Sequence, residues 1–438
     1  MSLLRKTIIY LLCGLSLSFS HWNGVTVVLS PSALREDVSD LRKALEKYHP
    51  GLYWYTSKQL FNLTWDSLNA EIDKPMTEDQ FFKLLLPVMA KVKCAHMLFY
   101  PSDKIISNGL RFPLDLKFID DKAYIVSDIS NQYLVTKGSE LLSINGRPIK
   151  EILNLILPNL EAQGGNIGWK YVILENDFQN YYYYLIEHAE TFQVEFLDHV
   201  TGQMKHAKVN GSFEEKLRRH WKNWYPETDG APLKINYRND KSVAIITVKS
   251  FTKGRYKFYN QDFDELIDQY FKEIREKEVR NLIIDIRGNE GGNQPEKLYS
   301  YLAKANKNDT HDQNKYYDIK QAKNNFEGNV IVLTNERSIS AQEGFVSIFK
   351  YHNRGITIGR STPGCAKYLC GGKKHKLILP NSKFKINIPM NPSVHTDSIN
   401  LKYKVGEGYP PDFRVEDDIN ALLAGKDVVM EFALSKIK

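Results

Sequence analysis

The sequence predicts a multidomain chain that mixes α/β and α+β architecture. Three observations carry this. The stretch from Ser242 to Thr362 alternates apolar strands with amphipathic helices, the pattern of a mainly parallel sheet. The stretch from Arg35 to Val92 is helical by its periodicity. The chain has 438 residues with 42% hydrophobic and 25% charged content, enough to bury two or three cores and too much for one ordinary core.

In the helical part, Val38, Leu41, Ala44 and Leu45 form a stripe on a helix that His49-Pro50-Gly51 stops. Thr77 to Gln80 reads as a capping box opening a helix over Phe81 to Lys93, with Phe81, Leu84, Leu85, Val88 and Met89 inward. That helix runs into Cys94-Ala95-His96-Met97. Next, about Leu110 to Gly211, comes a unit whose clearest feature is a strand, an Asn145-Gly146 turn and a helix past Pro148. Four consecutive tyrosines, Tyr181 to Tyr184, cannot all be buried on one face; helix–sheet packing accounts for most of them and a cleft lining for some. The basic aromatic run Arg218 to Pro226 reads as a linker.

In the alternating part, Ser242 to Val248 is a strand, Phe251 to Phe258 a loop, and Asp262 to Lys277 an amphipathic helix with Phe263, Leu266, Ile267, Tyr270, Phe271 and Ile274 inward. A second strand, Leu282 to Ile286, breaks into Arg287-Gly288-Asn289-Glu290-Gly291-Gly292. A third, Asn329 to Thr334, precedes Ser338-Ile339-Ser340-Ala341-Gln342-Glu343 and a helix from Gln342 to Tyr351. Short apolar runs bounded by turn residues fit strands covered on both faces. Both loops then emerge at the carboxyl edge of the sheet, where open α/β folds hold their ligands. Ser340 stands where a helix begins, a place that favours developing negative charge. Taken alone, it is more simply a helix N-cap.

The order Arg-Gly-Asn-x-Gly-Gly, strand, Ser-x-Ser-Ala-x-Glu, then Ile358-Gly359-x-x-Thr362-x-Gly364 resembles the C-terminal processing (tail-specific) serine peptidases and their tricorn-core relatives. The resemblance implies a crotonase-like, ClpP-like α/β peptidase core over 232–438, a PDZ-like β-rich module over 106–212 and an N-terminal helical segment over 31–105, with a linker at 213–231. It implies Ser340 as nucleophile and His96 as general base, since a hydroxyl needs a base within hydrogen-bond reach. It implies an oxyanion hole from the amides of Gly291 and Ala341, and a carboxylate, Glu407, orienting the imidazole. Asp412 and Glu343 are alternative carboxylates, more simply read as a turn cap and an exposed helix residue. Another branch of the family uses a lysine in the loop occupied here by Cys365, which leaves Lys367 as the alternative base. Cys365, Met97 and Glu290 depart from the usual pattern. They keep a second reading open, a weakened pseudopeptidase that binds peptides or small apolar ligands.

The expected activity is an exported serine endopeptidase cleaving extended or unfolded polypeptide through an acyl-enzyme, without cofactor or metal. Met1 to Lys6 is basic, Thr7 to Leu17 apolar, and Ser18-Phe19-Ser20 offers small residues for cleavage, so residues 1–20 read as a signal peptide into a periplasmic or extracellular space. A lipid anchor at Cys13 is the lesser alternative. Export permits a Cys365–Cys370 disulfide. The net charge of +7 is mild, and no basic block points to nucleic acid. Nor does a GxSxG elbow suggest an esterase. Asn62, Asn210 and Asn308 stand in glycosylation sequons.

Overall fold

The computed structural model describes residues 28–107, 109–130, 132–213, 217, 230–238, 242–289, 291–293, 295–304, 318–394 and 402–437. The predicted signal peptide, the linker from Arg218 to Pro226, Glu290 and Asn308 lie outside them.

Three helices open the chain: α1 (Pro31–Tyr48), α2 (Lys58–Glu71) and α3 (Glu78–Ala90). Helix α1 starts seven residues before the stripe that betrays it, because Ser30 caps it and Pro31 sits in its first turn. The capping box on α3 is formed in both directions: Thr77 Oγ1 accepts from the Gln80 amide, and Gln80 Oε1 accepts from the Thr77 amide. The chain leaves α3 through a tight turn carrying His96 and enters the strand β1 (Leu98–Tyr100).

An antiparallel sheet follows in the order β6-β5-β4-β3-β2, made of β2 (Leu114–Ile119), β3 (Lys122–Asp128), β4 (Glu140–Ile144), β5 (Thr191–Leu197) and β6 (Met204–Asn210). After β4, Asn145 and Gly146 both take positive φ (48° and 77°), the conformation of a tight hairpin turn. Helix α4 (Ile149–Ile156) then follows, and helix α5 (Ile167–Leu185) crosses the sheet. Tyr182 and Tyr183 are buried in α5, while Tyr181 and Tyr184 line a cleft beside β1.

The parallel sheet runs β7-β8-β9-β10-β11-β14: β7 (Leu233–Arg238), β8 (Val243–Val248), β9 (Asn281–Asp285), β10 (Asn329–Thr334), β11 (Ile356–Gly359) and, after a long ribbon of β12 (Tyr368–Ile378) and β13 (Lys385–Val394), β14 (Phe413–Arg414). Only β7 runs antiparallel to its neighbour. Leu282 and Ile284 of β9 pack under α6 (Phe263–Glu276) and α7 (Ala341–Tyr351) in one apolar cluster. Ile283, on the other face, packs with Val429 and Ala433 of α8 (Val428–Ser435). Burial on both faces is why these strands read as unbroken apolar runs. Arg287 fastens α8 to the sheet, pairing with Asp285 and Asp427 at 2.8 and 2.6 Å. The segment after Phe251 is not wholly loop: Lys253–Phe258 forms a short helix that buries Tyr256.

The ribbon crosses between the two halves. Strand β13 pairs with β1 in the register Ile386 to Phe99 and Asn387 to Leu98. Leu379, Phe384, Ile386 and Ile388 lie in the same core as α1 to α3 and the antiparallel sheet. The N-terminal helices, that sheet and the ribbon thus share one hydrophobic core.

Candidate active site

Strands β9 and β10 deliver two loops to one edge of the parallel sheet. After β9, Gly291 and Gly292 take positive φ (85° and 139°). Gly292 presses so tightly on Phe251 that a Cβ there would sit 2.1 Å from the Phe251 carbonyl carbon; only glycine fits. A Cβ on Gly291 would approach the Ser340 Cβ to 3.1 Å and its Oγ to 3.4 Å, so this backbone faces the serine directly. The Gln342 amide, fully buried, donates to the Asn289 carbonyl and ties the glycine turn to α7.

The two serines have different fates. Ser338 is buried, donating to the Ile286 carbonyl at 3.2 Å and accepting from the Asn335 amide at 3.1 Å. Ser340 occupies the N-cap position with φ 68° and ψ −118°, and its hydroxyl makes no capping bond. A non-glycine residue there is strained by about 1–3 kcal/mol, a cost that surrounding structure must impose. The cap explanation for Ser340 is thereby removed.

Glu343 stands in the first turn of the helix behind Ser340. Contrary to its reading as an exposed helix residue, it is 2% exposed. Its Oε1 accepts from Thr362 Oγ1 (2.7 Å) and from the amides of Gly364 (3.1 Å) and Cys365 (2.9 Å). Burial still raises its pKa. The loop that follows β11 is thus moulded around the nucleophile helix, and the Ser340 amide is directed at the Cys365 thiol. Burial and the Glu343 carboxylate push that thiol well up.

Cys365 and Cys370 are not bridged; the three described cysteines are free and buried. The reason is the direction of the strand. Cys365 turns under Ser340, whereas Cys370 has entered β12 and hydrogen-bonds Cys94. This bond is the main cause lowering the Cys94 pKa and raising that of Cys370.

His96 lies two residues beyond Cys94, beside β12, with its Cδ2 3.9 Å from where a Gly371 Cβ would stand. Its Nδ1 is buried with no hydrogen-bond partner. Burial lowers the imidazole pKa below its usual 6.5. The turn is held by Gln163: the Ala95 amide donates to its Oε1 at 3.3 Å, and its Nε2 donates to the Tyr368 carbonyl at 2.8 Å. The charge of Cys94 adds a small upward push on the Cys365 thiol.

Other predicted residues are placed differently. The Gly291 amide donates to Asn289 Oδ1 at 2.9 Å and so is not turned towards a substrate oxygen in this state. Glu407 is exposed; its carboxylate accepts from the Lys404 amide at 2.9 Å, and its carbonyl accepts from the Ala366 amide at 3.3 Å. Lys367 is half-buried in the loop after Cys365. Asp412 caps the Thr357 amide at 2.7 Å and pairs with Lys350 at 3.0 Å, a structural role. Gln163 and the buried Glu161 beside it carry no motif that would single them out in sequence.

With this geometry in place, comparison with known proteins adds the lineage. Residues 242–368, the span from β8 to the start of β12, match the model of peptidase family S41. That span, the parallel sheet and its two site loops, is similar to the peptidases of family S41. The likeness of this span is to serine-type peptidases. No curated protein sequence matches it significantly. Among solved structures, mature CPAF is similar at 12% identity and TM-score 0.64, over 93% of this chain and 98% of that one. Mature CPAF complexed with lactacystin is similar at 12% identity and TM-score 0.66, over 92% and 97%. At that identity the likeness speaks for the fold alone.

Proposed function

We propose that this chain is an exported endopeptidase that opens extended polypeptide through an acyl-enzyme on Ser340, with His96 as the base. The observation that carries the reading is the state of Ser340. It is held at φ 68° opposite Gly291, and its hydroxyl is not spent on the helix that begins behind it. The buried, neutral imidazole of His96 would take the hydroxyl proton as Oγ attacks the scissile carbonyl, then return it to the leaving amine. The α7 N-terminus and the Ala341 amide favour the tetrahedral oxyanion, joined by Gly291 if its amide leaves Asn289. Glu407 would orient His96 only after its carboxylate leaves Lys404, and Lys367 remains the alternative base.

A fluorophosphonate probe tests the proposal. Wild type labels at Ser340, Ser340→Ala does not label, and His96→Ala labels at least about a hundredfold more slowly, the scale of a lost general base. Labelling of His96→Ala at the wild-type rate, with loss in Lys367→Ala, would transfer the base to the lysine. No labelling of wild type at any pH would leave the peptide-binding pseudopeptidase, a reading favoured by the occupied Gly291 amide.

A further inference from the structure

A cleft of about 510 Å³ opens between the His96 turn, β1 and α5, and the mechanism above makes no use of it. Ala95 and Met97, the two neighbours of His96, line one wall. The opposite wall is α5, which also serves the nucleophile loop: Asn176 accepts from Arg337 Nη1 at 3.3 Å, and Glu175 pairs with Arg337 at 2.9 Å, three residues ahead of Ser340. The cleft therefore lies between the turn that carries the proposed base and a helix that braces the nucleophile loop through Arg337.

Its lining is unusual for a packing defect. Phe99, Tyr100, Trp169, Tyr181 and Tyr184 supply aromatic surface. Among them stands Glu161, 8% exposed, whose Oε1 has no hydrogen-bond partner. Burial pushes its pKa up to about 7, only partly offset by a hydrogen bond from its own backbone amide. Across the cleft is Asp177, at a kink of α5 where φ falls to −148°. Tyr100 and Tyr181 both feel the charges of Glu161 and Asp177, so the two carboxyls share one aromatic enclosure. A buried carboxylate oxygen left without a partner is expensive, and such a group is kept where something arrives to pair with it.

We infer that this cleft is a specificity pocket for a cationic side chain of the polypeptide substrate, with Glu161 as its counter-ion and the aromatic walls as its stacking surface. The chemistry favours arginine over lysine, because a planar guanidinium stacks on aromatic rings and presents a fork to a carboxylate, whereas an ammonium is more strongly hydrated. The inference rests on the peptidase reading for the nature of the ligand, a polypeptide.

The test uses the full-length Ser340→Ala protein and three fluorescent octapeptides identical except for one central arginine, citrulline or glutamate. Fluorescence anisotropy is expected to give the arginine peptide at least about tenfold tighter binding than its citrulline isostere, and weakest binding for glutamate. Glu161→Gln in that background should bring arginine and citrulline to within about threefold while leaving citrulline unchanged. Calorimetry with benzamidine on the otherwise unaltered protein gives a second readout: it binds where benzyl alcohol does not, and Glu161→Gln abolishes the heat. Equal binding of arginine and citrulline peptides, or a preference that survives Glu161→Gln, overturns the pocket. Fluorophosphonate labelling of wild type keeps the two ideas apart. Labelling without an arginine preference sinks the pocket alone; an arginine preference without labelling sinks the peptidase reading alone.

Discussion

At the scale of single residues, two serines two positions apart do different work, and the difference lies in their hydrogen bonds. Ser338→Ala leaves the Asn335 amide and the Ile286 carbonyl short of a partner, so it should lower stability by about 1–2 kcal/mol and leave probe labelling intact. Ser340→Ala should do the reverse, and thermal melts run beside labelling assays will separate them. His96 is held below 6.5 by burial, so its neutral form survives mild acid; the acid limb of the labelling rate should fall below pH 6.5. Because its folded pKa is lowered, the stability it contributes is present above 6.5 and is lost as pH falls through the folded value. Glu161 works in the opposite sense. Its pKa is raised from 4.5 to about 7, so its contribution is fully present below 4.5 and is lost as pH rises through about 7. That shift corresponds to about 3 kcal/mol. Glu161→Gln should therefore raise the melting temperature at pH 8 and leave it unchanged at pH 4, measured by differential scanning calorimetry.

At the scale of elements, the loop after β11 and the helix α7 form one device with Glu343 as its pin. Replacing Glu343 with leucine strands three donors, Thr362 Oγ1 and the amides of Gly364 and Cys365, in a buried place. A loss of at least about 3 kcal/mol is expected, and denaturant titration measures it. Glutamine keeps one acceptor oxygen and should recover most of that stability. If the loop also holds the Ser340 backbone in its left-handed conformation, Glu343→Gln should still label more slowly than wild type at a temperature where both are folded. A second device is the pairing of β1 with β13. Ile386→Pro breaks β13 where it lies opposite Phe99 and should uncouple the His96 turn while leaving the glycine loop intact. Labelling should fall to the level of His96→Ala, and a rate near wild type would show that the turn is held by Gln163 alone.

At the scale of the whole molecule, the ribbon makes the two halves interdependent. Leu379, Phe384, Ile386 and Ile388 belong by sequence to the C-terminal half and by packing to the N-terminal core. A fragment of residues 230–438 should expose this apolar strip and aggregate, and co-expression with residues 28–213 should restore soluble, labelled protein. Size-exclusion chromatography decides between that outcome and an independently folding C-terminal half.

The sequence by itself determined the parallel sheet, because strands covered on both faces must be apolar throughout and their glycine and serine loops must then share one edge. It also determined the capping box of α3 and the Asn145-Gly146 turn, through local chemistry that needs no distant partner. Only the tertiary structure decided what depends on long-range pairing. Cys370 meets Cys94 and not Cys365, Glu343 is buried and not exposed, and Glu407 faces Lys404. Glu161 faces an aromatic cleft that no spacing announces. The physical reason is that periodicity reports which face of an element avoids water, whereas the identity of the neighbour across that face is set by how strands as remote as β1 and β13 come into register.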